Sequence, residues 1–195
     1  MKKLITIFGT ILFAFVILTS CNSGSNDNKK TATDTEISIA SNKVTCTEKE
    51  NQNEYGDSPV LVKTCMYKTY KIISEGYPDN RGNYSYEHSL FKKQENGSYV
   101  QIKNASLFNE NKNELLSIIN TKIEKDYKSY SKNSETKNCF ENASFKPFNF
   151  DQLGITLDDD KINFHAEFGL SIACLSVGGT IVSFKLDEIQ KYLND

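Results

Sequence analysis

Reactive side chains are sparse in this sequence: five cysteines, two histidines and a single run of three aspartates. Cys21 stands apart, because it sits where an apolar run gives way to a polar tract, "FVILTSCNSGS". A thiol at such a boundary suits covalent attachment better than packing. Cys46, Cys65, Cys139 and Cys174 form an even set, which in an exported chain favours disulfides, with three connectivities open. Pairing Cys46 with Cys65 and Cys139 with Cys174 keeps each bridge within one half of the folded region, and the first would join neighbouring strands. A zinc site is disfavoured: there is no C-x-x-C spacing, and neither His88 nor His165 lies near a cysteine pair in sequence.

The remaining chemistry is thin. Asp158, Asp159 and Asp160 are the sharpest calcium candidates, but they fall between "GITL" and "KINF", where an aspartate-rich hairpin turn explains them and EF-hand spacing is missing. Asp79, Asn80, Asn83 and Glu87 form a second oxygen-rich loop of the same kind. His165 and Glu167 share a strand face, so an acid/base pair is geometrically open, although a solvated face is the simpler reading. Hydrolysis needs a nucleophile or a paired acid and base at a pocket. The sequence contains no G-x-S-x-G, no H-E-x-x-H and no phosphate-cradling glycine loop. No catalytic residue, resident metal or cofactor is therefore expected. Tyr84 and Tyr86 alternate on one strand face with Tyr77 and Tyr99 nearby, and such rows either pack a sheet or stack on ligands.

What holds these residues begins with Lys2 and Lys3, then the apolar run Leu4 to Leu18, then Thr19 and Ser20. That is the grammar of a signal peptide, and the run is shorter than the ~20 residues of a spanning helix. Leu18, Thr19, Ser20 and Cys21 resemble the lipobox of bacterial lipoproteins. The resemblance implies diacylglycerol on Cys21 and cleavage before it. Several acyl chains hold a protein firmly at a membrane where one holds only marginally. Asn22 does not look like an inner-membrane retention signal, which favours an outer-membrane anchor, and the missing acidic cluster after Cys21 favours the periplasmic face. Residues 21–36 contain no bulky apolar side chain and read as a tether.

Without the leader, 21 basic side chains face 25 acidic ones, a net charge of −4. Arg81 is the only arginine. Both facts disfavour nucleic acid as a partner, since there is no basic surplus and guanidinium forks are nearly absent.

Residues 37–195 are expected to form one α+β domain, an antiparallel sheet packed against one long amphipathic helix with a short helix at the C-terminus. "EISIASNKVTC" and "PVLVKTCMYKTYKII" read as strands, the latter as one long bent strand or two. "SEGYPDNRGN" reads as a turn cluster, "YSYEHSLFKK" and "SYVQI" as a hairpin about Asn96-Gly97. In "NENKNELLSIINTKIEKDYKSY", Leu116, Ile119, Ile123, Tyr127 and Tyr130 recur at helical spacing, with Leu115 and Ile118 widening the stripe and Asn111 with Glu114 resembling a capping box. "KINFHAEFG" alternates strictly, with Ile162, Phe164, Ala166 and Phe168 on one face, against Asn163, His165 and Glu167 on the other, so one face is expected to be core. "LSIACLSV" and "TIVSF" read as strands joined at Gly178-Gly179, and Asp187 with Gln190 as the cap of a closing helix.

From Leu107 onward this order resembles the C-terminal domain of RsiV-like anti-sigma factors. The resemblance rests on Leu107-Phe108, Phe150, Leu153 to Asp158, Ile162 with Phe164, and Val182 through Leu193. It implies a sheet backed by the main helix, an envelope location, and capture of lysozyme or association with peptidoglycan. Loss of the apolar run at Cys21 would separate this chain from signalling by intramembrane proteolysis, leaving docking as the implied capacity. Mass spectrometry of the protein isolated from bacterial membranes should find a chain starting at Cys21 and carrying acyl groups. An unmodified thiol with the leader still attached would defeat that expectation.

Overall fold

The computed structural model describes residues 43–53, 58–79 and 81–194. Cys21, the leader, the tether and the start of the first expected strand lie outside the described residues. Two antiparallel sheets and several helices make an α+β fold. The larger sheet is a meander of β1 (Thr45–Asn51), β2 (Val60–Tyr67), β3 (Tyr70–Pro78), β4 (Tyr84–Lys93) and β5 (Tyr99–Ile102). The smaller consists of β6 (Gly154–Asp158), β7 (Lys161–Glu167) and β8 (Gly179–Lys185). Between the sheets the chain forms the helix α1 (Lys112–Lys132), and α2 (Leu186–Ile189) follows β8.

Turn chemistry sets the hairpins. β2 and β3 are two strands, paired up to Tyr67 opposite Tyr70, and Lys68 turns the chain with φ 51°. Gly97, at φ 83°, closes the β4–β5 turn, and the Asn96 side chain accepts the Ser98 N–H. Asp159, at φ 47°, occupies the turn between β6 and β7, so the aspartate run does serve as a hairpin turn. β3 runs further than its composition implies. Ser74, Glu75, Gly76, Tyr77 and Pro78 all pair with β4, and beyond them the Asp79 carboxylate accepts the N–H groups of Arg81 and Asn83.

β6 lies across one face of the larger sheet and touches β4, β3 and β2. At one end Gly154 abuts the ring of His88; at the other the Leu157 carbonyl is 3.4 Å from Cys65 Sγ, and Asp158 is 3.4 Å from Lys63 Nζ. Ile155, Leu157, Ile162, Phe164, Ala166, Val182 and Phe184, all inward-facing, share one apolar cluster with Cys65, Tyr67, Tyr70, Ile72 and Leu90 of the larger sheet. Alternation within β6, β7 and β8 makes this possible, because every second residue is apolar while the others meet solvent or polar neighbours.

The helix joins the same cluster through a row of residues four apart. Leu115, Ile119, Ile123 and Tyr127 are buried, Leu116 and Tyr130 are half-buried, and Ile118 is 38% exposed. The apolar stripe is therefore centred on Leu115 instead of Leu116, since the sequence pattern is wide enough for either phase. The expected capping box at Asn111 is replaced by other contacts. Asn109 accepts the Asn111 N–H, and Glu114 accepts hydrogen bonds from Tyr192 at 2.6 Å and Lys191 at 3.2 Å, which ties the helix start to the chain end.

Two further expectations change. Ile172–Val177 forms 3-10 helix rather than a strand, so β8 has no hairpin partner on its N-terminal side at Gly178-Gly179. Cys174 lies in this segment and is bridged to Cys139, which anchors it to the stretch after α1. At the closing helix Glu188, not Asp187 with Gln190, caps the start by accepting the Lys185 N–H; Gln190 instead accepts the Tyr67 hydroxyl. Ile119→Ala should cost about 2–5 kcal/mol in urea unfolding, whereas Ile118→Ala should stay within about 1 kcal/mol. Equal losses at the two positions would contradict this helix phase.

Candidate functional site

Four aromatic rings run from β4 onto the smaller sheet. Tyr84, Tyr86 and His88 project from one face of β4, because alternate residues of a strand share a face. Gly76 lies opposite Tyr86 in register, and a Cβ there would come within 2.6 Å of the Tyr86 ring, so the glycine lets that ring lie flat on the sheet. The Tyr84 and Tyr86 centroids are 6.3 Å apart, and Tyr86 is nearly parallel to His88 at 6.4 Å. His88 then meets His165 of β7 at 4.8 Å. Tyr86 is 49% exposed, and Ile181, which pairs with His165 across β7 and β8, is 58% exposed. The strip therefore begins on an open sheet face and ends in the corner where β6 and β7 stand on it.

Each histidine is fixed by a hydroxyl. His88 Nδ1 is 3.0 Å from Ser74 Oγ, and His165 Nε2 is 2.9 Å from Thr156 Oγ1. Thr156 also accepts from Asn163, whose carbonyl oxygen accepts the Ser183 hydroxyl at 2.6 Å, so amide and hydroxyl groups line the outer face of the smaller sheet. Burial, followed by the neighbouring His165, lowers the His88 pKa to about 4. Burial alone lowers that of His165. Both rings are thus neutral near pH 7, each able to donate through one nitrogen and accept through the other. A polar cleft of about 550 Å³ adjoins His88 and is lined also by Gln101, Lys103, Asn104 and Asp151.

One row of the larger sheet leads to this corner. Glu48, Lys63, Ser74 and His88 are successive register partners across β1 to β4. Lys63 holds Glu48 at 3.3 Å and Asp158 at 3.4 Å, so a carboxylate–ammonium–carboxylate group closes the far end of β6. A serine bonded to a histidine is also the elementary unit of nucleophilic catalysis. Ser74, however, is only 7% exposed, and a hydroxyl sealed in this way offers a substrate carbonyl no approach. What the arrangement offers is stacking surface beside hydrogen-bonding groups.

The other candidates are dispersed. His165 bonds Thr156 rather than Glu167. Asp158 faces Lys63, and no group of three or more metal-ligating side chains forms among the described residues. Asp79 stabilises its own turn, its carboxyl held below the ordinary range by Asn83 and the turn's N–H groups; Asn80 lies outside the described residues. Tyr77 and Tyr99 belong to the opposite sheet face, where Tyr77 donates to Glu75 and Lys71 Nζ sits 4.5 Å from the Tyr99 ring centre. Cys46–Cys65 and Cys139–Cys174 are both disulfides, the first joining register partners of β1 and β2. The histidine pair is the feature that sequence reading missed. Each ring could be placed on a strand face by alternation, but nothing local announces the contact.

Compared with protein-family models, with curated proteins and with solved structures, the chain shows no significant match. The site must be judged on its own geometry. Gly154→Ala should press a methyl group into the His88 ring. A loss of about 1–3 kcal/mol in chemical unfolding is expected, together with displaced His88 ring signals in NMR. Wild-type stability with unmoved signals would show that β6 does not close on His88.

Proposed function

We propose that this chain is a lipid-anchored binding module of the bacterial envelope, held by acyl groups on Cys21 and facing the periplasm from the outer membrane. Its ligand classes are lysozyme-like muramidases and peptidoglycan, and its role is recognition without turnover. The observation that carries this reading is the partly exposed strip Tyr84, Tyr86 and His88 beside the amide and hydroxyl network of Thr156, Asn163 and Ser183. Amphipathic rings with few rotatable bonds supply contact area at low entropic cost, and fixed polar groups beside them orient a ligand.

The likeness to RsiV-like domains adds the ligand classes, and with them the arrangement in which α1 backs a sheet as a single long amphipathic support. A net charge of −4 after loss of the leader favours encounter with a basic protein such as a lysozyme, through rate more than affinity. An envelope hydrolase is the rival reading; the Ser74–His88 hydrogen bond is the feature that favours it, and the burial of Ser74 counts against it.

Immobilised lysozyme and purified sacculi should each be tested for retention of the full chain in detergent. Retention by either is expected, and Tyr86→Ala should weaken it by roughly 10- to 100-fold, the effect of removing a central aromatic anchor. Failure of both baits to retain the protein would remove the proposal. Release of soluble wall fragments by wild type but not by Ser74→Ala would replace it with the hydrolase.

A further inference from the structure

We infer that the contact between His88 and His165 is a pH-responsive latch: the smaller sheet rests on the larger one at this corner while both rings are neutral, and protonation of either ring loosens the junction. The two imidazoles come from different sheets, β4 and β7, and their centres are 4.8 Å apart. Gly154 of β6 closes against the His88 ring so tightly that even a methyl group has no room. The close approach of Gly154 leaves the His88 ring no room to move toward β6.

Among the described residues the hydrogen bonds of both imidazoles go to hydroxyls, those of Ser74 and Thr156, and not to carboxylates. On β3 the contact is Ser74, and Glu75 faces the other side of the sheet, where it accepts from Tyr77. On β4 the neighbours along the same face are Tyr86 and Leu90, and Glu87 again points away. On β6 the one carboxylate, Asp158, is engaged by Lys63. On β7 and β8 the outward face carries Lys161, Asn163, Glu167, Ile181, Ser183 and Lys185, with His165 bonded to Thr156. The cleft beside His88 adds Lys103, of the wrong sign, and Asp151, which accepts the Ala105 N–H. Of all these groups only His165 acts on the charge of His88, and it opposes it.

The direction follows from linkage. A histidine whose pKa is lower in the joined state than in water favours joining fully above about pH 6.5, and that contribution is lost as pH falls toward the lowered value. For His88, that window runs from 6.5 down to about 4. Between pH 7 and pH 5 this single site should shift the open-to-closed ratio by ~20-fold. Carboxylates held low by partners, Asp79 and Glu114, lose their contributions only at more acid pH, below their ordinary values of 3.8 and 4.5. Between pH 7 and pH 5 the histidine contribution therefore changes before these carboxylates do.

The docking strip ends at His88, so acid would also release a ligand held there; that consequence alone rests on the function proposed above. Hydrogen exchange followed by mass spectrometry on the full chain needs no ligand and keeps the two failures distinct. After correction for intrinsic rates, segments 84–93 and 154–167 should open ~20-fold more readily at pH 5 than at pH 7, with 112–132 unchanged. The double variant His88→Gln with His165→Gln should show no such difference. Equal protection at both pH values, or the same acid response in the variant, would overturn the latch. Should the variant not fold, NMR titration of the wild-type imidazoles decides: a midpoint below pH 5 for one ring sustains the inference, and ordinary midpoints near 6.5 for both reject it.

Discussion

β6 has to serve two sheets at once, and the rest of the structure depends on how it does so. It pairs with β7 along one edge and lies across the strands of the larger sheet with the other. Ile155 and Leu157 thereby reach the common apolar cluster, while Gly154, Thr156 and Asp158 stay on the outer side. Crossing strands bury less of each other than stacked ones do, so each contact point matters. At one end the absent side chain of Gly154 admits an imidazole; at the other, Leu157 lies over the Cys46–Cys65 bridge. The disulfide stiffens the edge of the larger sheet where β6 ends, and Lys63 closes the same end electrostatically. That ion group is largely solvent-exposed and adds little stability of its own. Its value lies in fixing where Asp158 sits.

The aromatic strip and the crossing strand are two results of the same packing. Because β6 covers only part of the larger sheet, the face of β4 is apolar and buried at Leu90 and still open at Tyr86. The transition falls at His88, a side chain that tolerates both environments so long as it remains neutral. An exposed aromatic next to a half-buried imidazole is thus what the geometry demands at the rim of a crossing. It is also a natural place for a ligand to dock, where stacking area and fixed hydrogen-bonding groups meet.

Much of the fold was legible because local signals and tertiary demands agree. β4, the β6–β7 hairpin and the two disulfides follow from alternation, turn residues and the spacing of Cys46, Cys65, Cys139 and Cys174. Where they disagree, the tertiary contacts prevail. "SIACLSV" has strand-forming composition, yet the bridge at Cys174 and the demands of the route into β8 fold it as 3-10 helix. The helix stripe contains apolar neighbours at 115 and 116 and again at 118 and 119, so only packing could choose between them. Glu114 looks like a capping residue in sequence, but the chain end supplies Tyr192 and Lys191 as stronger partners for a carboxylate.

The candidate site was hidden for a different reason. His88 and His165 belong to separate hairpins, and their meeting depends on the angle at which one sheet stands on the other, a quantity that no local pattern encodes. Such long-range contacts form late, after loops of considerable entropy have closed. They lie between the hydrogen-bonded ladders of β1 to β5 and of β6 to β8 and belong to neither. A joint of this kind can loosen without unfolding either half. Two neutral rings at its corner make it sensitive to protons, whereas an apolar pair in the same place would hold the sheets together at any pH.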